Sequence, residues 1–201
     1  MKHYLIIVKK ENDYHSGGYE ELWLPTTEDE IEETLHNLGC RLVIADYEVV
    51  YSEFGYPEID KMAHDSDILA LNKLAKFLQD FEGTPGELCA ELVYSDCKNV
   101  YDVITHLTNR PQLVVLESYK DICDYGSVCL YMDFMERGLY ERMTYEEYED
   151  ELYYNSFPFW RQMIVSAMHR LKYAKYRFTP YGLVYEEHQA LENFDDIETP
   201  F

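Results

Sequence analysis

Apolar and polar positions change period several times along this chain, and each change predicts an element. HYLIIV at 3–8 is a β-rich opening run, and YEELWL at 19–24 supplies a second strand after a turn marked by Ser16-Gly17-Gly18. The period then becomes helical. Ile31, Leu35 and Leu38 recur on one face, Thr27-x-x-Glu30 is a capping box, and Gly39 can close the helix in a left-handed cap. RLVIADYEVVY at 41–51 returns to alternation and predicts a third strand. Residues 1–61 therefore read as a small domain of three strands and a helix.

From Ser66 to Phe81 the helical period resumes, with Ser66 or Asp67 as cap and Ile68, Leu71, Leu74, Ala75 and Leu78 as the apolar stripe. Gly83-Thr84-Pro85-Gly86 breaks it, and PGELCAELVY and NVYDVITHL predict two further short helices, making 62–110 a helical domain. In the remaining domain, 111–201, LVVLE (113–117) and SVCLYMDF (127–134) read as strands and TYEEYEDELYY (144–154) as an acidic helix. SFPFWRQMIVSAMHRLKYAKYRF (156–178) reads as one long basic helix carrying Arg161, Arg170, Lys172, Lys175 and Arg177. The fold class expected is α+β, a chain of small domains.

Charge changes this picture from a generic one. The 201 residues hold 39 acids and 17 bases, a net charge of −22, yet 47% are apolar and 15% aromatic, so the chain has the means to bury cores despite its charge. The acid comes in blocks. Residues 11–60 carry −13 and 111–155 carry −8, whereas 156–185 carry five bases and no acid. The basic helix beside acidic 144–154 suggests charge compensation within or between subunits. Between Glu20 and Gly39 there are seven carboxylates and no Lys or Arg. Acids in a first helical turn are favoured by the macrodipole, which accounts for Glu28, Asp29 and Glu30. It leaves unexplained why no Lys stands four residues on, the usual device for a solvated helix face, and why acid continues into Asp46, Glu48, Glu53, Glu58 and Asp60.

Recognisable chemistry is absent from the sequence. It contains no phosphate-binding glycine loop, no nucleophile elbow, no HExxH and no calcium loop. The seven histidines are scattered singly, and carboxylate pairs arise by chance among so many acids. Five cysteines (Cys40, Cys89, Cys97, Cys123, Cys129) form no CxxC pair and read as buried or partly buried free thiols. No enzyme, cofactor or metal site is expected. No apolar run reaches membrane-spanning length and the start does not resemble a secretory signal, so a cytoplasmic protein is expected.

Twenty tyrosines often stand beside carboxylates, as in DYEVVYSEFGYPEID. Most should face the core with the hydroxyl at the rim. Aromatics next to Lys or Arg would suggest nucleic-acid binding, but next to Asp and Glu the surface repels phosphates. Rows of acids on strands and helices can instead imitate phosphates, with the basic DNA groove of another protein as target. A rival reading is an acidic interaction module of a mobile element that binds a basic partner without DNA-like geometry.

Several segments resemble the ArdA-type antirestriction proteins of plasmids and conjugative transposons. They are ELWLPTTEDEIEETLHNLG, IADYEVVY, LALNKLAKFL and YSDCKNVYDVITHL, in the family's order, over residues 3–107. Beyond Leu113 the family's Gly-Arg-Asp does not follow YKDICDYGSVCLYM. The resemblance implies an elongated protein of three small domains: a three-stranded antiparallel sheet plus helix, a small helical bundle, and an α/β C-terminal unit. It also implies a homodimer that occupies the DNA channel of type I restriction-modification enzymes, on their specificity and methyltransferase subunits, without binding nucleic acid itself. The acids in matching segments are Glu20, Glu21, Glu28, Asp29, Glu30, Glu32, Glu33, Asp46, Glu48, Asp96 and Asp102. Asp46, flanked by apolar positions, is equally a candidate for a structural role.

Overall fold

The computed structural model describes residues 2–11, 18–43, 46–136, 159–172 and 174–186, without side-chain detail at 130–136 and 159–162. The chain is α+β and divides into two compact units, Met1–Pro111 and Gln112–Phe201. The sheet-plus-helix segment and the helical segment both lie in the first unit.

Strand β1 (Tyr4–Lys10) is central in an antiparallel sheet of order β2-β1-β3, with β2 at Tyr19–Leu24 and β3 at Tyr47–Glu53. Alternation sends Tyr4, Ile6, Val8, Leu22, Leu24, Tyr47 and Val49 into the core. The third strand is shorter than the alternation at 41–51 predicts. Arg41 folds back on Asp46 through its guanidinium and its backbone N–H, at 2.8 Å (Nε) and 3.2 Å (N), so pairing begins only at Tyr47. Tyr4 stacks on Phe54 with ring centroids 5.2 Å apart, and its hydroxyl is a buried polar atom without a hydrogen-bond partner among the described residues. Burial raises that phenol's pKa to about 12.

Helix α1 (Glu28–Asn37) begins at Thr27, whose side chain accepts from the Glu30 N–H at 3.3 Å. The reciprocal half of the expected box is displaced, because the Glu30 carboxylate takes the Thr26 hydroxyl instead. At the other end Gly39, at φ 66°, donates to His36 and Cys40 donates to Leu35, which closes a Schellman motif around the left-handed residue. The sequence does not predict α2 (Pro57–Ala63). It is a seven-residue helix with Pro57 in its first turn, and its Asp60 accepts the Phe54 N–H at 2.8 Å. Helix α3 (Ile68–Gln79) follows the predicted stripe, and α4 (Pro85–Tyr94) and α5 (Val100–Thr108) form where short helices are expected, the three capped by Asp67, a full Thr84/Glu87 box and Asn99.

The second unit departs further. A sheet of order β4-β6-β5 joins β4 (Leu113–Leu116) to a hairpin, β5 (Tyr176–Thr179) and β6 (Gly182–Glu186). SVCLYMDF is not a strand: it is the second half of α6 (Tyr119–Glu136). Ile122 and Tyr125 of that helix pack on Leu116, Leu171, Leu183 and Tyr185, a helical spacing that the β-branched and aromatic content obscures. Nor does one helix span 156–178. Helix α7 (Phe159–Leu171) stops at Leu171, and YRFT pairs as β5 because Pro180-Tyr181-Gly182 turns it back onto β6. Gly126 lies where α6 meets α7. A methyl group there would stand 1.9 Å from the Met163 carbonyl oxygen, so the crossing requires glycine. Of the basic residues, Arg170 is buried, and Lys175 pairs with Glu186 at 3.3 Å. The predicted acidic helix at 144–154 lies outside the described residues.

A buried ionic cluster joins α4 to the end of α5. Glu91, fully buried, receives His106 at 3.0 Å and Arg110 at 2.6 and 3.1 Å. Arg110 also reaches Glu87 at 3.0 Å and lies 4.8 Å above the Phe81 ring. Burial pushes the Glu91 carboxyl up, but the hydrogen bonds from His106 and Arg110 outweigh it and hold the pKa below the ordinary glutamate value. A depressed folded-state pKa stabilises above the unfolded value and loses that contribution as pH falls through the folded one. Denaturant unfolding should therefore show stability declining below pH ~4.5. Glu91→Gln should flatten that decline and cost about 3 kcal/mol near neutrality, since it removes the buried carboxylate that Arg110 and His106 share and leaves Arg110 only its half-exposed contact with Glu87. An unchanged profile would show that the cluster is energetically idle.

Candidate interaction surface

The acids of α1 are distributed by the helical repeat. With Ile31 and Leu35 buried, Glu28, Asp29, Glu30, Glu32 and Glu33 occupy about 200° of the remaining circumference, at ~100° per residue. All five are exposed, and none makes an ion pair among the described residues. They span about 7.5 Å of helix axis, one charge per ~1.9 Å, close to the one per ~1.7 Å along duplex DNA. Asp29, Glu32 and Glu33 also line a depression of about 600 Å³ with His36, Cys40 and Arg41.

This acidic helix is held in place from outside itself. The buried Asn72 side chain of α3 accepts the Thr26 N–H at 2.7 Å and donates to the Thr26 carbonyl at 2.9 Å, fixing the residue that enters α1. Thr26 then donates its hydroxyl to Glu30. The polar position inside the α3 stripe is thus a positioning group for the acidic face.

The other candidate acids are placed differently. Glu20 and Glu21 point to opposite faces of β2, only Glu21 being exposed. Asp46 is paired with Arg41, whose hydrogen bond holds the carboxyl below the usual range. Glu48 is bound to Lys9 at 2.7 Å. Asp96 is exposed at φ 54° and serves as the left-handed residue ending α4, where its N–H donates to Val93 and that of Cys97 to Leu92. Asp102 accepts the Lys98 N–H at 2.9 Å beneath the Asn99 cap of α5.

The structure therefore separates the acids into two kinds. Those continuing past α1 have local partners: Arg41 for Asp46, Lys9 for Glu48, Lys61 for Glu58 at 2.6 Å, and the Phe54 backbone for Asp60. The lack of compensation read from the sequence applies to α1 and, within that continuation, to Glu53 alone, which takes the Tyr51 hydroxyl at 3.4 Å and makes no ion pair among the described residues. The Glu91 cluster was missed in the sequence, where its one signal is the i,i+4 spacing of Glu87/Glu91 and of His106/Arg110. Three cysteines are buried and two partly buried, all as free thiols. Among the described residues no group of acids, histidines and cysteines could hold a metal, and no helix is long and apolar enough to cross a membrane.

No protein-family model matches the chain, and neither a curated protein nor a solved structure matches it.

Replacing Glu28, Glu30, Glu32 and Glu33 together by Gln should leave the fold intact. Lost dipole interactions in the first turn and relieved self-repulsion oppose each other, so stability should move by no more than about 1 kcal/mol. Circular dichroism with thermal unfolding tests this. A melting temperature that collapses would give these charges a structural role.

Proposed function

We propose that this protein is an antirestriction protein of the ArdA type, a DNA mimic that occupies the DNA-binding channel of type I restriction-modification enzymes. The observation that carries the proposal is the α1 face, where five exposed carboxylates, without ion pairs among the described residues, come close to the linear charge density of a duplex. Segments resembling the family over residues 3–107 support it, as does the net charge of −22.

In this mechanism the partner's Lys and Arg side chains, which normally displace condensed counterions from DNA, pair directly with carboxylates fixed on a rigid helix. The Asn72 clamp and the Thr27 cap hold the row before the partner arrives, which limits the ordering cost of association. Mimicry needs no chemistry from the protein: neither catalysis nor a cofactor enters. The active species in this reading is a homodimer in the cytoplasm, contacting the specificity and methyltransferase subunits.

ATP-dependent cleavage of unmodified DNA by a type I enzyme should be inhibited near stoichiometric protein, with a type II enzyme unaffected. The quadruple Gln variant should weaken that inhibition at least tenfold. Equal inhibition of both enzyme types, or of neither across several type I families, would refute the proposal.

A further inference from the structure

The outward face of the first sheet is a second surface, on the side of the strands away from the core. Pairing places its residues on a grid of three rows: Trp23–Leu5–Glu53, Glu21–Ile7–Tyr51 and Tyr19–Lys9–Glu48. Strands are ~4.8 Å apart, and alternate residues along each ~6.8 Å. Trp23, Tyr19 and Tyr51 are 52%, 64% and 44% exposed, while Leu5 and Ile7 form a half-buried strip between the edge strands. Lys9 neutralises Glu48. Glu21 and Glu53 make no ion pair among the described residues, and Tyr51 aims its hydroxyl at Glu53 at 3.4 Å.

We propose that this face docks an arginine-bearing protein partner, with one guanidinium seat on each edge strand: Trp23 with Glu21 on β2, and Tyr51 with Glu53 on β3. The seats lie about 10 Å apart, on either side of the Leu5/Ile7 strip.

The chemistry selects this occupant. A guanidinium stacks its weakly hydrated plane on an aromatic ring while its edge forms two hydrogen bonds to a carboxylate, which a compact, strongly hydrated ammonium does not. A nucleic acid would meet Glu21 and Glu53 with its own phosphates. A second copy of the chain would bring the same carboxylates to the face, and the one lysine there is already paired. Aromatic residues with an apolar body and a polar tip are those that commonly anchor protein interfaces. This inference rests on the sheet alone and stands apart from the role proposed for α1.

The test uses the full-length chain with Trp160→Phe, leaving Trp23 as the sole tryptophan. A Gly/Ser dodecapeptide carrying four arginines, or its lysine counterpart, is titrated at 150 mM salt while Trp23 emission is followed. The arginine peptide should give a saturable change, with the lysine peptide at least tenfold weaker. Glu21→Gln with Glu53→Gln should weaken arginine-peptide binding at least fivefold. Tyr51→Leu should weaken it as well, while the quadruple Gln variant of α1 stays within twofold. Equal affinity for the two peptides would overturn the seats, as would affinity that follows the α1 charge instead of Glu21 and Glu53. Because the α1 variant separates the two surfaces, failure here leaves the restriction-enzyme reading untouched, and failure of that reading leaves this one.

Discussion

The pair of hydrogen bonds between the Asn72 amide and both peptide groups of Thr26 is the constraint on which the N-terminal unit turns. It lies where β2 has ended and α1 has not begun, with the Asn72 side chain buried and Thr26 partly so, and it satisfies both Thr26 peptide groups from within the fold. A buried amide satisfied on both sides specifies geometry more than it adds stability, because any shift of α3 against the sheet would orphan several polar groups together. The sheet-with-helix and helical segments are joined through this contact into one compact unit. The orientation of the acidic helix follows from it.

Seen from that clamp, the charge of the chain is less wasteful than the bare total suggests. Scarce bases are spent locally, on Asp46, Glu48, Glu58 and the buried Glu91. Among the described residues, helix α1 receives none. Selective neutralisation is a stronger argument for a recognition surface than net acidity, since self-repulsion would be relieved equally well by placing a few of the same lysines on α1. The outward sheet face has a different composition, three exposed aromatics around an apolar strip with two acids, and therefore calls for a different kind of contact.

Much of this was legible in the residues. The Thr27 cap, the left-handed Gly39, the Asp67 cap and the stripe of α3 declare themselves because capping and period agree, and the break at Gly83-Thr84-Pro85-Gly86 sets off α4 and α5. The acidic helix was visible for the same reason. What failed had a common cause, local preference overridden by tertiary packing. Val128 and Cys129 look like strand residues but continue α6, since Ile122 and Tyr125 find the second core only at helical spacing. Residues 172–178 extend a helical pattern that Pro180-Tyr181-Gly182 folds back as a hairpin. Arg41 and Asp46, both apparent strand positions, close on one another and delay β3. Short α2, with a non-bonding Tyr56 cap, carries no sequence signal beyond its Pro57. The Asn72 clamp could not be foreseen at all, because its partner is 46 residues away and is a backbone group.

The most direct test of the DNA-mimic account is whether this protein and duplex DNA exclude one another from the same partner. Its equilibrium affinity for a type I methyltransferase–specificity complex would be measured at fixed salt over a series of concentrations of a duplex bearing the recognition site. The account predicts pure competition, with the apparent dissociation constant rising in proportion to duplex concentration and no ternary species. A ternary complex, or an affinity unmoved by saturating duplex, would mean that the acidic helix binds elsewhere, and the mimicry would be contradicted.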